Sequence, residues 1–139
     1  MKDLIFDTGL VNYNLNGKCE FSFNPTDSTF VEKLFNAFDT LDKKQDVYKA
    51  EVEKTANKRE VFETARKMDE EMREIINEVF GFDICASLFG EMNVYALADG
   101  LPVWANLMLA IMDEVDTTFA REQKATNPRV SKYTKKYHK

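Results

Sequence analysis

Apolar and polar residues alternate at the start of the chain and then fall into helical stripes. Within "LVNYNLNGKCEFSF" (10–23), Val11, Tyr13, Cys19, Phe21 and Phe23 share a period of two around Asn16-Gly17. Such a pattern predicts a β-hairpin. A two-residue loop would split the apolar set between faces. A three-residue loop over 15–17 places Tyr13 opposite Cys19 and Val11 opposite Phe21, with Gly17 left-handed in a bulged turn. A lone hairpin is marginal in water, so its apolar face is expected to dock on helices.

Asn24-Pro25-Thr26-Asp27 reads as a stop followed by a cap. Phe30, Val31, Leu34, Phe35, Phe38 and Leu41 then recur as one helical stripe. The segment 42–60 is polar nearly all round and free of Gly and Pro, so it reads as a solvated helix or a loop leading into one. From Val61 to Phe80 the residues Val61, Phe62, Ala65, Met68, Met72, Ile75, Ile76, Val79 and Phe80 define a strongly amphipathic helix ending at Gly81. A last helix opens at Pro102, with Val103, Trp104, Leu107, Met108, Ile111, Met112, Val115 and Phe119 on its stripe. After Ala125 periodicity stops, and that segment is expected to be disordered in isolation. The fold class expected is mainly α with an N-terminal β-hairpin (α+β), a small helical bundle. Its parts are an arm and hairpin (1–24), a helical domain (25–124) and a basic flexible tail (125–139).

Charge sharpens this division. Arg129, Lys132, Lys135, Lys136 and Lys139 give 125–139 a charge of +5 with no acid, leaving 14 bases against 24 acids, or −10, in the rest, for a formal −5. An acidic body repels nucleic acid. Nucleic acid is therefore an unlikely partner, reachable only through the tail, where Tyr133 and Tyr137 among lysines could stack on bases. Composition (44% hydrophobic, 31% charged) is that of a soluble globular chain. No uncharged run is long enough to span a membrane, and "MKDLIFDTG" does not read as a signal peptide.

Chemistry-bearing motifs are sparse. Cys19 and Cys85 lack CxxC spacing and suit reduced, buried thiols better than a disulfide. The lone histidine, His138, nearly excludes the usual histidine metal sites. The acidic cluster Asp69, Glu70, Glu71 and Glu74 is expected to be solvated surface, with Asp69, Glu70 and Glu74 opposite the Met68–Met72 stripe. No Gly-x-Ser-x-Gly, Cys/His pair or Walker pattern occurs. No cofactor, metal or catalytic residue is expected, and the chain is not expected to be an enzyme. The methionines beyond residue 60 suit either core filling or a surface that re-packs against variable clients.

The stretch "NEVFGFDICASLFGEMN" (77–93) carries Phe-Gly twice. A phosphate loop would need a strand before its glycines, and none is expected. Gly81 suits the position just past a helix, Asp83 suits a cap on a short helix, Gly90 stops that helix, and Asn93 caps a further turn ended by Asp99-Gly100.

The run "INEVFGFDICASLFG" (76–90) resembles the signature of phage tail assembly chaperones of siphophages and prophages. That signature is an Ile-Asp-x-x-Phe-Gly segment with a second Phe-Gly about nine residues on, followed by an amphipathic helix, here "LPVWANLMLAIMDEV". The hairpin "YNLNGKCEFSFNPTD" leading into a helix agrees with it, so the resemblance covers about 10–124. Asn77 stands where that family often has Asp, and Phe82-Asp83 replaces a more usual Glu-Gly. The resemblance implies a non-enzymatic protein of the bacterial host cytoplasm, absent from the mature virion. It would self-associate as a homo-oligomer, keep the tape measure protein soluble and help recruit the major tail tube protein, in some cases through a frameshifted longer form. The candidate partner contacts are Phe80, Phe82, Leu88, Phe89, Met92, Val94 and Tyr95, residues that equally suit closure of the core, with the hairpin a second candidate. A small virion structural protein, such as a head–tail connector or tail completion factor, is the alternative. A nucleic-acid-binding regulator acting through the tail is a third.

Overall fold

The computed structural model describes residues 1–125 and 127–137. Strands β1 (Val11–Leu15) and β2 (Cys19–Phe23) form an antiparallel hairpin, followed by helices α1 (Ser28–Lys54), α2 (Lys58–Phe80) and α3 (Ile84–Phe89). A two-residue ladder, β3 (Leu97–Ala98) with β4 (Leu101–Pro102), precedes α4 (Val103–Lys124) and α5 (Arg129–Tyr137). This is the mainly helical α+β arrangement expected.

The hairpin has the odd-length loop, but two residues out of the expected register. Tyr13 pairs with Phe21, Val11 with Phe23 and Leu15 with Cys19, so the loop is 16–18 and not 15–17. A shift of two leaves every side chain on its face. Asn16 (φ 54°) and Gly17 (φ 69°) occupy the two left-handed turn positions, and Lys18 N–H donates to the Leu15 carbonyl at 2.9 Å. A leucine in such a position would be strained, whereas Leu15 in the strand packs against the core. Tyr13, Cys19, Phe21 and Phe23 also face inward. Val11 shares their face but ends the ladder and is exposed.

Asp27 caps α1 by accepting the Thr29 N–H at 3.0 Å. The helix does not stop at the polar stretch but runs on to Lys54. Its far half is not merely solvated. Leu41 is fully buried, Gln45 accepts the Trp104 indole N–H at 2.8 Å, and Tyr48 stacks on Tyr95 with ring centroids 3.8 Å apart. The connection 55–57 ends at Asn57, whose side chain caps α2 by accepting the Arg59 N–H. Leu34, Ala37 and Leu41 of α1 share the core with Met68, Met72, Ile76 and Phe80 of α2, and with Trp104, Met108, Ile111 and Val115 of α4.

Three aromatics expected on these stripes lie outside the core: Phe35, Phe62 and Phe119 are 45%, 61% and 48% exposed. On α1 the buried face is the narrow row 34, 37, 41, from which Phe35 is rotated by one residue, about 100°. Phe62 precedes the first buried turn of α2, and Phe119 is rotated by one residue from Thr118, the last buried residue of α4.

Pro102 is extended (φ −62°, ψ 146°) and occupies the cap position, so α4 begins one residue later than expected. Asp99-Gly100 is more than a stop. With φ of 55° and 77° it forms the tight turn between β3 and β4 that Asp-Gly favours. After Ala125, where disorder was expected, α5 is helical, its first N–H (Arg129) capped by Asn127 at 3.0 Å. His138 lies outside the described residues.

Candidate partner-binding surface

The two Phe-Gly pairs are helix ends. Gly81 takes φ 80°, and its N–H returns to the Asn77 carbonyl at 2.8 Å. A side chain there would meet no atom, so the requirement for glycine is conformational. Asp83 Oδ1 accepts the Ala86 N–H at 3.0 Å and caps α3. Asn77 joins the two helices: its Nδ2 donates to Asp83 Oδ1 at 3.0 Å while its Oδ1 accepts the Cys85 N–H at 3.1 Å. An aspartate at 77 would lack that donor and set two carboxylates against each other. The asparagine is thus the residue that fits beside Asp83.

The segment after α3 is stitched to the flank of α2. Arg73 Nε donates to Asp69 Oδ2 at 3.0 Å. Its terminal nitrogen reaches the carbonyls of Gly90 and Met92 at 2.8 and 2.7 Å. Asp69 Oδ1 accepts the Val94 N–H at 2.7 Å, and Asn93 Nδ2 donates to the Ala65 carbonyl at 3.0 Å. Asp69, expected on the solvated side, is therefore a structural residue only 15% exposed, whereas Glu70 and Glu74 are exposed.

This stitching separates the seven candidate contact residues. Phe80, Leu88, Val94 and Tyr95 are buried. Phe80 packs edge-on to Phe21 with centroids 4.9 Å apart. Phe80, Val94 and Tyr95 are core residues and are not available to a partner on the folded chain, whereas Leu88, 7% exposed, shows only an edge. Phe89 is half-buried, and Phe82 and Met92 are exposed. Two of the seven, Leu88 and Phe89, line a groove of about 380 Å³ whose other walls are Leu15 at the hairpin tip and Val103, Leu107 and Ile111 of α4. Lys18 Nζ reaches the Leu88 carbonyl at 3.5 Å across the hairpin tip. Sequence reading missed Leu15 because it assigned that residue to the loop. The signal was there, since the alternation Val11, Tyr13 continues to Leu15.

The ionisable groups nearby serve packing. Burial pushes the Cys85 thiol up to about 12, so it carries negligible thiolate at neutral pH. Burial, and then the hydrogen bond its hydroxyl donates to Glu114 at 2.9 Å, raise Tyr13 to about 12. Burial also raises Tyr95, whose hydroxyl is enclosed without a hydrogen-bond partner among the described residues. Both cysteines are free thiols. Among the described residues, no group of three or more His, Cys, Asp or Glu side chains could hold a metal ion, and no helix is long and apolar enough to cross a membrane.

Fold and site together define a small, mainly helical α+β protein with an apolar groove where its hairpin meets its last long helix. Comparison with protein-family models, with curated proteins and with solved structures returns no match.

Proposed function

We propose that the chain is a tail assembly chaperone that binds the tape measure protein of a phage or prophage, keeps it soluble and helps recruit tail tube subunits. On this reading it acts without catalysis, in the bacterial host cytoplasm, and leaves before the virion is complete. One observation carries it. The two segments on which the resemblance rests, the hairpin and the second Phe-Gly pair, are far apart in sequence and line the same apolar groove against α4. A groove of this kind accepts an apolar ridge of a client helix, the helix-in-groove mode of recognition. Met92 and Phe82 stand exposed on the connections flanking α3; pliant methionine suits a changing client.

The test is co-expression with a tape measure protein from the same genome, reading the soluble fraction and co-elution. The intact chain should hold the client in solution. Leu107→Asp, placed on the groove wall, should lose it while keeping its own helical circular dichroism. Failure of the intact chain to bind or solubilise the client would refute the proposal. Mass spectrometry of purified particles supplies the second check: a chaperone is missing from them, and a connector is present.

A further inference from the structure

Phe62 belongs by its spacing to the apolar stripe of α2, yet it stands 61% exposed. It forms one wall of a cleft of about 400 Å³, with Ala65 and Arg66 of α2, Tyr48 of α1, and Asn93 and Tyr95 of the segment after α3. That volume lies in the range of ligand clefts, about 300–1,000 Å³. The back of the cleft is fixed. Tyr95, 5% exposed, carries Tyr48 stacked on it, with ring centroids 3.8 Å apart and planes 9° from parallel. Asn93 locks this corner to α2: its Oδ1 accepts the Tyr95 N–H at 2.9 Å, and its Nδ2 donates to the Ala65 carbonyl at 3.0 Å. The surroundings are locally basic. Residues 58–67 hold Lys58, Arg59, Arg66 and Lys67 against Glu60 and Glu63, four bases to two acids, or +2 within a body of −10. Arg59, Phe62 and Arg66 recur at spacings of three and four, so they share one face of the helix. Among the described residues the ion pairs engage Lys43, Lys44 and Arg73. Arg59 and Arg66 have none, although Glu63 and Glu70 stand one turn either side of Arg66.

We propose that this cleft is a second protein-binding site, which takes one aromatic side chain of a partner peptide and pairs the peptide's adjacent carboxylate with Arg66. Charge complementarity selects the occupant. Aromatic walls favour a ring, in offset or edge-on contact. An unpaired guanidinium favours a carboxylate, which it holds through two parallel hydrogen bonds. The same guanidinium repels a cation, so Tyr48, Phe62 and Tyr95 do not make a cage for an ammonium group. Shape selects a polypeptide over a free small molecule. More than half of Phe62 faces water, and a small ligand would leave much of it uncovered. A side chain brings its own backbone and neighbours to lie over that wall and exclude water from the anchor. Because hydrogen bonds hold the back of the cleft before anything binds, little ordering is left to oppose association. The cleft shares no residue with the groove between the hairpin and α4, so the inference does not rest on the chaperone reading.

The experiment titrates the isotope-labelled full chain with three synthetic peptides, followed by two-dimensional NMR. The first is acetyl-Gly-Phe-Asp-Glu-Gly-amide, the second has Ala for Phe, and the third has Lys-Lys for Asp-Glu. The first should move the amides of Ala65, Arg66 and Ala96, all on the cleft, and reach saturation at millimolar peptide. The second and third should bind at least about fivefold more weakly. Phe62→Ala should weaken the first peptide about tenfold, and Arg66→Gln should make the first and third bind alike. Both variants should keep the parent circular dichroism, since both side chains are exposed. The groove variant Leu107→Asp should bind the first peptide as the parent does, which separates this result from any failure of client binding. Absence of saturable shifts, equal binding of the three peptides, or shifts centred on Leu107 and Ala110 of the groove would overturn the proposal. So would an oligothymidylate that moves the same amides at lower concentration than the first peptide, because the occupant would then be nucleic acid. Movement of those amides on dilution without peptide would overturn it too, because a second copy would then fill the cleft.

Discussion

Asp69→Ala separates the two roles that its helix face could have. In the folded chain the carboxylate accepts the Val94 N–H at 2.7 Å and the Arg73 Nε–H at 3.0 Å, with both ionic side chains less than one-fifth exposed. Removing it deletes a hydrogen bond to a charged acceptor, worth about 1.5–3 kcal/mol. It also orphans an N–H on a fully buried residue, for which about 1–3 kcal/mol is lost. The two overlap, because the first includes part of the second, so the expected loss is about 2–4 kcal/mol. Asp69→Asn keeps an acceptor for Val94 and gives up the charge facing Arg73, and should lose about half as much. Glu70→Ala, one residue along on the exposed side, should stay within about 0.5 kcal/mol. Urea denaturation followed by far-ultraviolet circular dichroism, with the single tryptophan Trp104 as a second probe, gives the three values. Hydrogen exchange at the Val94 amide should lose protection in Asp69→Ala. Equal stability of Asp69→Ala and Glu70→Ala would refute the claim that the 90–95 segment is pinned to α2 through this carboxylate.

Asn77→Asp should destabilise by about 1–2 kcal/mol in urea titrations at neutral pH, from a lost donor and a carboxylate set against Asp83. Tyr13 ionises near 10 when unfolded and about 12 when folded. Its raised value therefore gives stability that is complete below pH 10 and lost as pH rises toward 12. Urea midpoints should show the advantage of the parent over Tyr13→Phe at about pH 9 and its decline by about pH 11.5. Of the two thiols, half-buried Cys19 should react with a thiol reagent in the native protein at pH 8, a fold-change of at least tenfold over Cys85, and both should react at once in denaturant. Equal native rates would contradict the burial of Cys85.

Some of this architecture is local, and the chain carried its signature openly. Gly81 and Gly90 end helices, and Asp83 and Asp27 cap them, because each signal acts through backbone atoms two to four residues away. The parity of the hairpin loop was legible for the same reason, since the apolar period of two leaves only odd-length loops. Its register was not, because a shift of two residues preserves the faces, and the choice fell to the burial of Leu15. The polar half of α1 concealed Gln45 and Tyr48, whose partners Trp104 and Tyr95 lie about fifty residues or more away. Asp69 looked like surface because its acceptor role depends on where Val94 returns.

The candidate surface shows the same division. Phe80, Leu88, Val94 and Tyr95 share with Phe82, Phe89 and Met92 an apolar character that sequence cannot sort into core and exterior. That sorting follows from which side of each turn faces α1, α2 and α4. Sequence alone determined the caps at Asp27 and Asp83, the stops at Gly81 and Gly90 and the alternation of the hairpin, because those depend on neighbours along the chain. Only the tertiary structure decided which apolar residues are spent on the core, where the groove opens and which aromatics stay uncovered, because burial depends on segments brought together from opposite ends of the molecule.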